Sequence, residues 1–205
     1  MKIAIIGAGN VGGALAAGWA RAGHEIILGA RNPADNEIKA LMASNKNISA
    51  TSVSEATQQA EVILISVPVA AINDVAQALG EVKNKIIIDA TNSVFQKPEP
   101  YAHGVEAFKA ITQCEDVVKC FNSTGFENMA NPKYGELGID MFVAGSSQRG
   151  KAVAQQLAKD LGFAECYDFG GEDKIALLEQ FALSWINLAI MQKHGRGMAF
   201  KILKK

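Results

Sequence analysis

A G-x-G-x-x-G motif stands in the stretch Lys2-Ile3-Ala4-Ile5-Ile6-Gly7-Ala8-Gly9-Asn10-Val11-Gly12, directly after a short apolar run. Small residues follow it at once, in Gly13-Ala14-Leu15-Ala16-Ala17-Gly18. An apolar strand, a glycine-rich turn and a small-residue helix form the context in which this motif binds a dinucleotide. Gly7 makes the tight turn, Gly9 leaves room for the phosphates, and Gly12 lets helix and strand pack closely. The stretch therefore predicts a dinucleotide pyrophosphate at a helix N-terminus.

Short apolar runs alternate with helical segments along most of the chain. The runs are rich in Ile and Val, which is typical of strands buried on both faces of a parallel sheet. The pattern predicts an α/β fold, a doubly wound and mostly parallel Rossmann-type sheet with a C-terminal helical appendage. The predicted strands are Lys2 to Ile6, Glu25 to Leu28, Ser49 to Thr51, Val62 to Val67, Ile86 to Asp89, Asp116 to Phe121, Met141 to Ala144 and Glu165 to Asp168. The predicted helices lie near Val11 to Ala22, Asn36 to Ala43, Ser54 to Gln59, Ile72 to Leu79 and Gly150 to Leu161. A proline-containing stretch, Gln96 to Pro100, follows residue 92, and no helix is predicted there.

The end of the second strand indicates which dinucleotide binds. A NAD site places Asp or Glu there to bond the ribose hydroxyls, but this chain reads Gly29-Ala30-Arg31-Asn32-Pro33, with no carboxylate before Asp35. Arg31 can present a planar fork of donors to a 2′-phosphate or lie flat on the adenine, and Asn32 can add a donor. The sequence therefore favours NADP. An exposed loop arginine without a ligand is the alternative.

Polar turn residues follow the fourth, fifth and sixth predicted strands. In an open parallel sheet the ligand lies over the carboxyl ends of the strands, so these turns should line the rest of the site. The expected cofactor contacts there are Ser66, Val67, Pro68, Thr91 and Asn92, and the expected acceptor contacts are Asn122 and Ser123, with Trp185 or Met198 closing the pocket.

The segment from Glu172 to Met191 predicts one long helix that is apolar nearly all the way round. A surface helix of a monomer needs a wide polar face, so this helix should be covered on more than one side. We expect a dinucleotide-binding domain at 1–171, and a helix and tail at 172–205 that form a homodimer contact and a wall of the acceptor pocket. A helix sunk into its own domain is the alternative. The basic ending, Lys201 to Lys205, is expected to be a solvated tail.

Length, net charge and cysteine content indicate which partners and which compartment to expect. The 205 residues allow one large domain or one domain with a small appendage, and the net charge of -1 argues against nucleic acid as partner. The three cysteines contain no Cys-x-x-Cys pair, so we expect a reducing cytoplasm and no metal site. The apolar stretch from Ile175 to Met191 is interrupted by Glu179 and Asn187 and falls short of the roughly 20 residues that span a bilayer, so no membrane segment is predicted.

These stretches, together with Gly197 to Lys201, resemble the NADPH-dependent deazaflavin-coenzyme (coenzyme F420) reductase family, and are also similar to the cytoplasmic domain of six-transmembrane metalloreductases. The resemblance covers essentially the whole chain and rests on Gly7 to Gly12, Gly29 to Asn32, Ser66 to Pro68, Asp89 to Asn92 and Val118 to Ser123. It implies a Rossmann-fold protein, typically dimeric, that moves hydride between NADP(H) and a flavin-like or deazaflavin ring. It also implies that Ala8, Asn10 and Val11 contact the pyrophosphate, Arg31 and Asn32 the 2′-phosphate, and Val67 and Pro68 the nicotinamide end.

Two departures from the family bear on its ligands. Ala30 stands where members often carry a hydroxyl residue, so the NADP preference depends mainly on Arg31. Asn122 stands in the stretch where archaeal members carry a histidine near the acceptor ring, which leaves the identity of the acceptor open.

Hydride transfer between stacked rings needs little covalent help from the protein, so no catalytic acid–base residue is assigned. His24, His103 and His194 are widely spaced and are expected to be packing or surface residues. Two other functions remain open. One is an NADP(H)-binding sensor or partner protein without turnover, and the other is a small imine or carbonyl reductase. Imine and carbonyl reductases append a helical domain of roughly 100 residues, whereas only 34 residues follow Gly171 here.

Overall fold

A computed structural model describes residues 1–205 and contains one eight-stranded sheet with helices on both faces. The first half alternates strand and helix: β1 (Lys2–Ile6), α1 (Asn10–Arg21), β2 (Glu25–Gly29), α2 (Asn36–Ser44), β3 (Ile48–Thr51), α3 (Val53–Gln59), β4 (Val62–Ile65), α4 (Ile72–Ala78) and β5 (Ile86–Asp89). The second half contains α5 (Gly104–Thr112), β6 (Val117–Cys120), α6 (Phe126–Ala130), β7 (Lys133–Tyr134), β8 (Leu137–Gly138), β9 (Asp140–Ala144), α7 (Gln148–Leu161), β10 (Glu165–Gly170) and α8 (Ile175–Ile186).

The sheet has the strand order β3-β2-β1-β4-β5-β6-β9-β10. Strands β1 to β6 are parallel to one another. Their order, β3-β2-β1-β4-β5-β6, is the strand order of a dinucleotide-binding sheet. Strand β9 runs antiparallel to β6, and β10 runs parallel to β9. The predicted α/β, mostly parallel Rossmann-type fold is therefore confirmed, and the second half departs from strict alternation.

All eight predicted strands and all six predicted helices occur, with ends that differ by a few residues. The sequence prediction missed helices α5 and α6 and the two-residue strands of the β7–β8 ribbon. Helix α5 begins at Gly104 and is capped by His103, whose Nδ1 accepts a hydrogen bond from the Glu106 N–H. Histidine is a rare helix cap, so the usual start signal is missing.

The core has two layers, one on each face of the sheet. Helices α1, α2, α6 and α7 cover one face, with Trp19 fully buried there. Helices α3, α4, α5 and α8 cover the other, with Phe108 fully buried. Because both faces are covered, the site for a ligand must lie at an end of the strands.

The C-terminal helix runs from Glu172 to Met191 and includes a last turn that is wider than an α-helix. It buries Ile175, Leu178 and Trp185 in its own domain but leaves Leu177, Ile190 and Met191 about half exposed. Part of its apolar surface is therefore covered by its own chain and part is open. By length and composition alone this helix could cross a bilayer, which is weak evidence for a membrane protein when only one helix qualifies.

The predicted solvated tail, Lys201 to Lys205, is exposed along its length, but its first two residues also bond to β9. Lys201 Nζ donates to Asp140 Oδ1 at 2.8 Å, and the Ile202 N–H donates to Asp140 Oδ2 at 2.7 Å. Asp140 is buried at the start of β9, so these bonds satisfy a carboxylate that would otherwise be costly. The first two residues of the basic run are thus attached to the start of β9 by hydrogen bonds.

Candidate dinucleotide and acceptor site

The glycine-rich turn connects β1 to α1. Gly7 has φ 97°, which favours glycine, and Gly9 precedes the first helical residue, Asn10. A Cβ on Gly12 would lie 1.9 Å from the Gly7 carbonyl oxygen and 2.5 Å from Ser66 Oγ. The third glycine of the motif is therefore required by close packing of the helix on the turn.

The second glycine faces open space. A Cβ on Gly9 would meet no protein atom within 4 Å, so packing does not explain the glycine there. The first N–H groups of α1 have no partner within the helix, and its first turn contains no acidic residue. This cradle fits a pyrophosphate, which needs both the free donors and the missing side chain.

Ser66 fixes the turn from the neighbouring strand. Its hydroxyl donates to the Gly7 carbonyl oxygen at 2.6 Å, and its N–H donates to the Ile6 carbonyl oxygen at 2.9 Å. Because these bonds go to Ile6 and Gly7, Ser66 stabilises the start of the glycine-rich turn. Val67 and Pro68 follow it at the rim, where Val67 is half-buried and Pro68 is exposed.

Arg31 lies at the end of β2 with its side chain exposed and without an ion-pair or hydrogen-bond partner. Asn32, in contrast, is engaged within its own loop. Its amide donates to Asp35, and its Oδ1 accepts from the Ala34 N–H at 3.2 Å. Arg31 is therefore open to a 2′-phosphate, whereas the Asn32 side chain already makes two hydrogen bonds within its own loop.

We expect NADPH to bind at least about tenfold more tightly than NADH, a difference of ~1.4 kcal/mol, because Arg31 can make a charge-assisted contact with the 2′-phosphate. Arg31→Ala should bring the two affinities together, as measured by titration of both cofactors. Arg21→Ala, at the far end of α1, is the control and should keep the preference. Equal affinities in the unmodified protein would contradict the assignment to NADP.

The turns after β4, β5 and β6 lie side by side at the carboxyl edge of the sheet. Ile65 pairs with Asp89, and Asp89 pairs with Lys119, so the residues that follow stand at one level. The structure therefore brings the Ser66, Thr91 and Asn122 loops together, as their positions after parallel strands predict.

Asn92 and Asn122 hold each other across this edge. Asn92 Nδ2 donates to the Asn122 carbonyl oxygen at 3.0 Å, and Asn122 Nδ2 donates to Asn92 Oδ1 at 2.9 Å. The two loops that carry this pair also contain three buried polar atoms without a hydrogen-bond partner: Thr91 Oγ1, Ser93 Oγ and Asn122 Oδ1. Buried polar groups normally have partners, so three orphans on two adjacent loops indicate a ligand site.

The other predicted acceptor contacts lie in different places. Ser123 is buried, and its hydroxyl points to Met141 Sδ, 3.6 Å away in the core. Trp185 Nε1 donates to the Met198 carbonyl oxygen at 2.6 Å, and a Cβ on Gly125 would touch the Trp185 ring at 2.8 Å. Trp185 and Met198 thus meet next to the loop after β6 within a single chain.

A buried ionic cluster beneath these loops escaped the sequence analysis. Lys119 Nζ lies 2.7 Å from Asp89 Oδ2 and 2.7 Å from Glu179 Oε1, with all three side chains almost fully buried. Burial disfavours the charged lysine, but attraction to Asp89 and Glu179 outweighs it and raises the pKa of Lys119. The signal in the sequence was a lysine inside the otherwise apolar run Val117 to Cys120.

His103 caps α5 close to this cluster. Burial lowers the pKa of His103, and the positive charge of Lys119 lowers it further against the opposing effect of Glu179, Glu106 and Asp89. The unfolded chain then binds more protons than the folded one as the pH falls through the ordinary histidine value of 6.5. Stability present above that pH is therefore lost below it.

We expect the thermal midpoint of unfolding to fall as the pH is lowered from about 7 to about 5, the range in which an ordinary histidine protonates. His103→Asn keeps a helix-capping side chain without the titrating ring, so its midpoint should fall less over the same range. His194→Asn, at an exposed position, should behave as the unmodified protein. The three curves are measured by circular dichroism. Identical curves for His103→Asn and the unmodified protein would refute the role of His103.

Residues 2–93, which contain the glycine turn, Arg31 and Asn92, match the sequence model of the family described as "NADP oxidoreductase coenzyme F420-dependent". This confirms the resemblance to the coenzyme F420 reductases. An F420-dependent NADP reductase of Methanothermobacter marburgensis is 28% identical over 219 aligned positions, which cover 94% of each chain. The similarity to this relative thus extends through the C-terminal helix, beyond the stretch matched by the family model.

Solved structures support the fold. A candidate F420-dependent NADP reductase from Arthrobacter sp. FB24 superposes with a TM-score of 0.86 at 24% identity, covering 100% of both chains. An imine reductase from Pseudomonas sp. superposes with a TM-score of 0.66 at 15% identity, covering 93% of this chain but 61% of the other. The architecture is therefore common to both groups, and the overall length agrees with the first.

Proposed function

We propose that the chain is an NADP(H)-dependent oxidoreductase that transfers hydride between NADPH and a deazaflavin or flavin-like acceptor. The observation that carries the proposal is the match of residues 2–93, including the open glycine turn and the unpaired Arg31, to a family of F420-dependent NADP oxidoreductases. The acceptor assignment takes support from the relative whose name specifies F420 and which aligns along nearly the whole chain.

The residues of the chain act mainly by placing two rings against each other. The Gly7–Gly12 turn and α1 hold the pyrophosphate, and Arg31 holds the 2′-phosphate, so the nicotinamide extends over the ends of β4 to β6. Bound NADPH supplies the hydride. The Asn92–Asn122 pair offers amide groups to the polar edge of an acceptor ring without a charge, and Trp185 and Met198 form the apolar wall that excludes water.

NADPH oxidation with a panel of acceptors tests this function. The panel contains coenzyme F420, flavins, ferric chelates, a cyclic imine and a ketone, because the fold alone is also compatible with imine reductases. The proposal expects turnover with F420 or a flavin. Binding of NADPH without turnover of any acceptor would favour a sensor, and turnover of the imine or ketone alone would favour a small imine or carbonyl reductase.

We also propose a cytoplasmic homodimer in which the open side of the C-terminal helix contacts a second copy. Leu177 is 55% exposed, Ile190 47% and Met191 50%, so large apolar side chains of this helix are open near both of its ends. Light scattering at micromolar concentration should give about twice the chain mass of 21.8 kDa. Leu177→Glu combined with Ile190→Glu should give the monomer mass, whereas Leu137→Glu, on the exposed β7–β8 ribbon, should not. A monomer mass for the unmodified protein would contradict the proposal.

A further inference from the structure

The buried Lys119 of β6 makes three polar contacts, two of which are hydrogen bonds. It pairs with Asp89 at 2.7 Å and Glu179 at 2.7 Å, and it donates to the Thr91 carbonyl oxygen at 2.8 Å. The contact with Asp89 is an ion pair without a hydrogen bond, since Asp89 Oδ2 is buried and has no hydrogen-bond partner. The opposite charges next to Lys119 offset part of the cost of removing its charge from water.

Two of these groups hold the same loop residue. Asp89 Oδ1 accepts from the Thr91 N–H at 2.9 Å, while Lys119 donates to the Thr91 carbonyl oxygen. Both backbone polar groups of Thr91 are thus fixed by side chains of the ionic cluster. The next residue, Asn92, forms the amide pair with Asn122. The orientation of that pair is therefore set from beneath by Asp89 and Lys119.

The position of Thr91 adds a second observation. Its own hydroxyl is buried without a partner, and a Cβ on Gly104 would lie 3.1 Å from that hydroxyl and 2.5 Å from Asp89 Oδ2. The loop is therefore held between the cluster and the start of α5, while the hydroxyls of Thr91 and Ser93 have no partner within the chain. Rigid placement of such atoms is what hydride transfer between two rings needs most.

We propose that Lys119 and Asp89 are positioning residues that hold Thr91 so that Asn92 meets the nicotinamide and Asn122 meets the ring stacked on it. The proposal rests on the hydride-transfer site proposed above. Glu179 is the second carboxylate on Lys119, and it ties the C-terminal helix to the same loop.

The experiment compares two ligands that differ only at the nicotinamide end. It measures the dissociation constants of NADPH and of 2′-phospho-ADP-ribose, which lacks the nicotinamide ring, and takes their ratio. The ratio reports how well the loops contact the ring and needs no acceptor. A failure of the proposed acceptor chemistry therefore leaves this test intact. We expect NADPH to bind at least about tenfold more tightly in the unmodified protein, a difference of ~1.4 kcal/mol.

The matched pair is Asp89→Ala and Asp89→Asn. Both leave Lys119 and Glu179 as a neutral ion pair, so both should fold, but only the amide still accepts from the Thr91 N–H. We expect Asp89→Asn to keep the ratio within about twofold and Asp89→Ala to lower it at least about fivefold, an effect near 1 kcal/mol. Equal ratios for the two variants would overturn the proposal, and so would a ratio near one in the unmodified protein.

Lys119 is tested by the neutral triple variant Asp89→Asn/Lys119→Met/Glu179→Gln, because removal of the lysine alone would leave two buried carboxylates. We expect its affinity for 2′-phospho-ADP-ribose to stay within about threefold while the ratio falls towards one. The control neutralises the surface cluster of Lys109 with Glu115 and Glu172 by the triple variant Lys109→Met/Glu115→Gln/Glu172→Gln. A triple variant that keeps the unmodified ratio would show that Lys119 acts only in stability. If it does not fold, the Asp89 pair decides.

Discussion

Gly12→Ala is expected to weaken NADPH binding by at least about 100-fold, or ~2.7 kcal/mol, and to lower the thermal midpoint of unfolding. The new Cβ would lie 1.9 Å from the Gly7 carbonyl oxygen, a backbone atom that cannot move without opening the turn. It would also lie 2.5 Å from Ser66 Oγ and displace the 2.6 Å hydrogen bond that holds the turn. Overpacking of this kind typically costs 1–3 kcal/mol, and here it also moves the N–H groups that meet the phosphates.

Gly13→Ala provides the matched control one residue later in α1. A Cβ there would lie 3.5 Å from the Ala8 carbonyl oxygen and 3.6 Å from Leu41, which are ordinary contacts. Alanine is also the better helix former by about 1 kcal/mol, so Gly13→Ala should retain NADPH binding and melt no lower than the unmodified protein. Titration calorimetry and thermal melts measure both variants. Retention of NADPH binding by Gly12→Ala would place the phosphates elsewhere.

The first half of the fold could be predicted because two local signals agree there. The β4 run Val62–Ile65 is buried along its whole length and reads as continuous apolar sequence, as a strand covered on both faces must. Between such runs, segments such as Ile72–Ala78 carry apolar residues at helical spacing. Alternation of the two fixes the handedness of each crossover and hence the parallel order.

The second half was less predictable because its constraints are not local. Strand β9 runs antiparallel to β6, and the residues Asp140–Ala144 carry no local signal for that direction. The same reason hides the ionic cluster, since Asp89, Lys119 and Glu179 are far apart in sequence and only the fold brings them together. In contrast, the glycine turn could be read directly, because one contiguous stretch supplies all its parts.

For the C-terminal helix, the burial could be predicted from the sequence but the ion pair could not. Its uniform apolar character predicted burial on more than one side, and the structure buries Trp185 and Leu178 within the chain. The carboxylate of Glu179, which interrupts the apolar pattern, is the residue that meets Lys119 in the interior. A polar residue within an apolar helix thus marked an internal ion pair, which periodicity alone could not distinguish from an exposed face.

Asn122→Ala is expected to lower the turnover number by about 100-fold while leaving the NADPH affinity within about threefold, because a misplacement of roughly 1 Å at the reacting rings has an effect of that size. The substitution removes an amide that is 5% exposed and takes away the partner of Asn92 Oδ1 at 2.9 Å. It does not touch the glycine turn or Arg31, which hold the phosphates and supply most of the cofactor affinity.

A fall in turnover with unchanged affinity is the pattern expected when the lost interaction is made in the transition state and not in the ground state. It is measured by steady-state kinetics with the acceptor found in the panel, alongside a fluorescence titration of NADPH. Asn131→Ala, the same change at an exposed residue at the end of α6, should leave both values unaltered. An unchanged turnover number in Asn122→Ala would place the acceptor away from the loop after β6. A parallel loss of NADPH affinity would instead assign Asn122 to the cofactor.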